Sequence, residues 1–70
     1  MNSYILNKNP QPTGEHEVHN VNTCAHLPSI ENRVTIGNFS NCTDAITFTK
    51  NELPNLEIDW CYWCTNCHTR

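Results

Sequence analysis

The sequence predicts one α+β domain spanning residues 1–70, built from a small antiparallel sheet with one main helix and a Cys-rich C-terminal tail. Two observations carry the fold class. Short alternating segments punctuated by proline, glycine and asparagine read as strands, and the Cys42–Thr49 segment has helical rather than alternating spacing. A third observation concerns the closing tail, where Cys61-Tyr62-Trp63-Cys64-Thr65-Asn66-Cys67-His68 concentrates thiols and an imidazole.

Tyr4-Ile5-Leu6 is short and apolar, as suits an edge strand. Asn-Pro-Gln-Pro-Thr-Gly after it supplies turn chemistry. Glu15-His16-Glu17-Val18-His19 alternates, so an extended chain places His16 and Val18 on one face and Glu15, Glu17 and His19 on the other. The two pieces can pair as an antiparallel hairpin. Residues 20–29 form a polar connector that carries Cys24, and Pro28 limits Ala25-His26-Leu27 to a single helical turn.

Arg33–Phe39 is the best strand, with Val34 and Ile36 on one face and a bend or bulge at Gly37-Asn38. Ser40 or Asn41 can cap the following helix, Asp44 suits its first turn and Lys50 its end. Cys42, Ala45, Ile46 and Thr49 share the apolar face, and Pro54 stops the run. Leu56, Ile58 and Trp60 then alternate with Glu57 and Asp59 in a last strand that delivers the chain to Cys61.

With 70 residues and 37% apolar content, such a domain buries little surface and calls for a staple: disulfides, a metal or a partner. The N-terminal residues lack a signal-peptide pattern and no apolar run approaches a membrane span, so a cytoplasmic location is expected. There the five cysteines should stay reduced, which favours metal ligation. A net charge of −3 with four scattered cations argues against nucleic acid as a partner and leaves a protein or small ligand.

Two thiolates separated by two residues can grip one ion from a tight turn, with the remaining ligands of tetrahedral zinc drawn from a second loop. His19 and Cys24 provide that loop. The expected Zn2+ ligands are therefore His19, Cys24, Cys61 and Cys64, with Cys67 and His68 as substitutes. Structural zinc contributes about 10–16 kcal/mol in small peptides, enough to answer the size problem. Cys42, on the apolar helix face, reads instead as a small buried hydrophobe.

His16 and His26 read as surface or hydrogen-bonded residues. The aromatic run Trp60, Tyr62, Trp63 reads first as packing around the site and second as a ligand-stacking surface. Glu15, Glu17, Glu52, Glu57 and Asp59 read as a solvated face. A thioredoxin-like redox role lacks the length and βαβ pattern. A Cys24/His19 nucleophile pair lacks a signalled oxyanion loop or orienting group, so no catalytic residue is assigned and no enzyme activity is expected.

The order Asn-Pro-Gln, His16-Glu17-Val18-His19, Cys24, Leu27-Pro28, Gly37-Asn38-Phe39, Cys42, Ala45, Cys61-x-x-Cys64 and Cys67-His68-Thr69 resembles a group of short, uncharacterised bacterial proteins, over nearly the whole chain. More distantly, the plan is similar to the small zinc domain of the Ada-type DNA-methylphosphotriester repair proteins. That resemblance implies zinc held by His19, Cys24, Cys61 and Cys64, and a metal-bound thiolate able to accept a methyl group. The chain departs from it in a histidine first ligand, an acidic balance and a different setting of the closing pair. The sequence thus leads to a structural-zinc binding or interaction module. The alternatives are an Ada-like metallothiolate acting on an alkylated or oxidised substrate, and a metal-free domain with free cysteines.

Overall fold

The computed structural model describes residues 1–61. Four strands, β1 (Asn2–Asn7), β2 (Glu15–Asn20), β3 (Arg33–Phe39) and β4 (Glu57–Trp60), form one sheet in the order β3-β1-β2-β4, with one helix, α1 (Cys42–Glu52). The α+β class holds. The sheet, however, is mixed rather than wholly antiparallel: β1 runs antiparallel to both β2 and β3, whereas β4 pairs parallel with β2. The connectivity explains this. Strands β3 and β4 sit on opposite edges and run the same way, and α1 supplies the long crossover that parallel strands require.

The hairpin forms as the sequence suggests, with Ile5 opposite His19 and Leu6 opposite Val18. Its turn is closed by the Gly14 amide donating to the Gln11 carbonyl at 2.7 Å, with Gly14 at φ +93°, a conformation open to glycine without strain. Along β3 the register shifts opposite Tyr4 and Ile5, so that Tyr4 faces Gly37 while Ile5 faces Thr35. This is the bulge marked by Gly37, which takes φ +133°. The helical turn expected before Pro28 forms later, as a 3-10 turn at Ile30–Asn32. Pro28 disfavours a helical residue before it, and the Asn32 amide instead closes on the Ser29 carbonyl.

Asn41 caps α1, its Oδ1 accepting from the Asp44 amide at 2.9 Å, while Asp44 and Lys50 complement the helix dipole at its two ends. Ala45, Ile46 and Thr49 are its buried positions. The Thr49 hydroxyl is satisfied by donating to the Ala45 carbonyl at 2.8 Å. Ala45 and Ile46 pack on Tyr4, Leu6 and Val18, and Ile36, Phe39, Ile58 and Trp60 flank this core. The helix therefore covers the sheet face that carries Val18. By strand alternation the opposite face carries Ile5, Glu17 and His19.

Leu6 is 1% exposed, so Leu6→Ala should cost about 2–5 kcal/mol by removing buried methyls and leaving a cavity. Asn41→Ala should cost about 1 kcal/mol through loss of the cap. Urea denaturation of both variants at equal metal content checks the ranking.

Candidate metal centre

His19, Cys24 and Cys61 converge on the sheet face opposite α1, with one donor atom from each lying within 4.8 Å of the others. His19 comes from the end of β2, Cys61 from the residue after β4 and Cys24 from the connector. Each is placed by backbone hydrogen bonds. The Cys61 amide donates to the Val18 carbonyl at 2.8 Å, extending the parallel ladder by one step and bringing Cys61 beside His19. Amides of Thr23 and Cys24 both donate to the Asn20 carbonyl, curling the connector back immediately after β2. Val21 is tied to Ser3, and the Ser3 amide donates to Asn22 Oδ1 at 2.9 Å.

The separations are informative. Cys24 Sγ lies 3.6 Å from His19 Nδ1 and 3.9 Å from Cys61 Sγ. Around tetrahedral zinc, with Zn–S of about 2.3 Å and Zn–N of about 2.0–2.1 Å, two sulfurs stand about 3.8 Å apart and a sulfur and nitrogen about 3.6 Å apart. The cluster could hold a metal ion of that size with little movement. His19 and Cys61 are buried and Cys24 is half-buried. The His26 amide donates to Cys24 Sγ at 3.3 Å.

Burial, followed by the nearby Arg33 and His26 charges, holds the His19 imidazole below its ordinary pKa, in the neutral form that a ligand requires. Glu17 shares the strand face of His19, its Oε1 lying 3.8 Å from His19 Nε2. Burial and the Asp59 and Glu15 charges raise its carboxyl pKa, against a hydrogen bond from Gln11 that lowers it.

Three of the four expected ligands thus come together. Cys64, Cys67 and His68 lie outside the described residues. His16 is hydrogen-bonded, its Nδ1 lying 3.0 Å from the Asn7 carbonyl. The ring of His26 is not among the clustered donors. Cys42 packs half-buried against the core as expected of a small apolar residue, but it is disulfide-bonded, which corrects the expectation that every cysteine is a reduced thiol. Cys24 and Cys61 are thiols rather than disulfide sulfurs. Trp60 packs against the core, in line with the packing role, while Tyr62 and Trp63 lie outside the described residues. Glu15, Glu17 and Asp59 are half-buried rather than part of a solvated face, whereas Glu52 and Glu57 are exposed. The signal for Glu17 was its two-residue spacing from His19, which on a strand guarantees a shared face.

No family model matches the chain, and no curated protein or solved structure is similar to it. No described helix is long and apolar enough to cross a membrane.

The pH dependence follows from His19. Its imidazole resists protonation in the fold but takes up a proton near the ordinary value of 6.5 once unfolded. The unfolded state then binds more protons, so stability is lost as pH falls through the imidazole range. Glu17, shifted the other way, costs stability as pH rises above the ordinary carboxylate value of 4.5, a lower window. The denaturation midpoint should therefore fall on acidification from about pH 7 to about pH 5.5; a flat or rising midpoint would contradict a buried neutral imidazole.

Proposed function

We propose that this chain is a structural-zinc module in which His19, Cys24, Cys61 and Cys64 hold one Zn2+, and that it acts as a binding or interaction domain rather than an enzyme. The observation that carries the proposal is the pair of separations at Cys24, 3.6 Å to imidazole nitrogen and 3.9 Å to the second sulfur, both matching tetrahedral zinc edges. Two soft thiolates with a neutral imidazole favour zinc over magnesium or calcium, which take oxygen ligands. Cys64 is the fourth ligand by sequence order, because Cys61-x-x-Cys64 lets one turn deliver both thiolates. Cys67 and His68 stand as substitutes within the set, for His19 or Cys24.

A zinc ion here would bind the connector to the ends of β2 and β4, closing the side of the sheet that α1 leaves uncovered. The ion would thereby replace a second hydrophobic layer that a chain of this length cannot build. The partner is a protein or a small ligand.

Cys24 favours a second reading. It is half-buried where Cys61 is buried, the more exposed residue of the pair, as an Ada-like metallothiolate reacting with an alkylated or oxidised substrate would need. The same separations also suit neutral hydrogen-bonded thiols beside an imidazole, so metal content decides between a metal site and a metal-free domain.

Native mass spectrometry of protein purified without chelator should show one zinc per chain, lost on chelation together with the folded charge-state distribution. Cys61→Ser should abolish retention. A folded, metal-free chain in the presence of excess zinc would refute the proposal. With zinc bound, slow alkylation of Cys24 supports the structural role, whereas fast alkylation confined to Cys24 supports the metallothiolate.

A further inference from the structure

The two faces of the His19 ring point to different partners, and this asymmetry says more than that histidine is a ligand. Nδ1 is turned toward Cys24 Sγ at 3.6 Å, while Nε2 is turned toward Glu17 Oε1 at 3.8 Å. An imidazole binds a metal through one nitrogen and carries its proton on the other, so the groups around the ring select which nitrogen does which. From this we infer that His19 ligates the metal through Nδ1, and that Glu17, whose Oε1 stands at ion-pair rather than hydrogen-bond distance from Nε2, is the positioning residue that closes onto Nε2–H and holds that tautomer when the ion binds. The inference rests on the zinc reading above and deepens it.

Glu17 is suited to that place. It stands two residues before His19 on β2, so the pleat aims both side chains from the same face. Its backbone is fixed by parallel pairing opposite Asp59, so the strand that positions the ligand also positions its support. The Glu17 side chain is 24% exposed whereas that of His19 is 3% exposed; the carboxylate sits at the rim and the imidazole beneath it. It is a different group from the metal-binding donors, because the convergent set consists of His19, Cys24 and Cys61 among the described residues. A carboxylate accepting from the remote N–H of a ligating imidazole fixes the ring's rotation and raises its basicity as a ligand. Removing such a support typically costs about 10–100-fold in metal affinity.

The test has two readouts. Long-range 1H–15N correlation spectra of the zinc-loaded, 15N-labelled chain report directly which His19 nitrogen is protonated. A protonated Nε2 with a metal-shifted Nδ1 is expected, and Nε2 ligation would overturn the inference without any variant being made. Competition with a chromophoric zinc chelator then compares wild type, Glu17→Gln and Glu17→Ala. Glu17→Ala should weaken zinc binding about 10–100-fold and Glu17→Gln by less, since its amide oxygen still accepts from Nε2–H. Equal affinity in all three would refute the positioning role. Failure of the wild-type chain to bind zinc at all would instead strike the zinc reading itself, so the two failures are distinguishable.

Discussion

The parallel pairing of β4 with β2 is the constraint on which the rest of the molecule depends. Val18 sits opposite Trp60 in that ladder, and one further hydrogen bond, from the Cys61 amide to the Val18 carbonyl, carries Cys61 to the side of His19. Because successive residues of a strand face opposite ways, the same registration sends Trp60 into the core and Cys61 to the other face. A slip by one residue would exchange them, burying a thiol against the helix and leaving the tryptophan among the ligands. Core packing and site assembly are therefore one decision, enforced by a single register.

The sheet is unequally covered. One face has α1, whose Ala45 and Ile46 meet Tyr4, Leu6 and Val18 while Thr49 is buried beside them. Small residues at the first of these positions let the helix come close, and the hydroxyl of Thr49 is absorbed by the helix itself. The other face has no second helix among the described residues. Among the described residues the connector after β2 lies on that side, held by backbone hydrogen bonds to Asn20 and Ser3 and by Arg33 Nε donating to the Pro28 carbonyl at 2.8 Å. A connector of this kind buries little apolar area, so a bond that ties it to two strands does more for stability here than the same bond would in a larger domain. Cys24 is the residue of the connector placed to make that tie.

Electrostatics at the cluster point the same way as geometry. Burial keeps His19 neutral, and the proximity of Arg33 reinforces it. A cationic imidazole would be costly there, whereas a neutral one offers a lone pair. The neighbouring acids Glu17 and Asp59, paired across β2 and β4, share the strand face of His19 without joining its donor cluster.

Much of the local structure was legible in the residues. Asn41 and Asp44 announced the start of α1, Gly37 the bulge in β3, and the alternation of residues 15–19 already separated Val18 from His19. His19 and Cys24, four connector residues apart, could be read from the chain as candidates for one half of a site, whereas the curl that brings them together is made by the Thr23 and Cys24 amides on the Asn20 carbonyl. What the sequence could not specify is the direction of β4. Alternation determines which residues share a face but not which neighbour a strand chooses, and parallel or antiparallel seating of Glu57–Trp60 is consistent with the same pattern. Only the tertiary route of the chain, from one sheet edge across α1 to the other, made that choice, and with it came the meeting of Cys61 with His19 and Cys24. The place of Glu17 was decided likewise: its face was set by the strand period, but the 3.8 Å approach of its Oε1 to His19 Nε2 depends on how the imidazole turns in the folded chain.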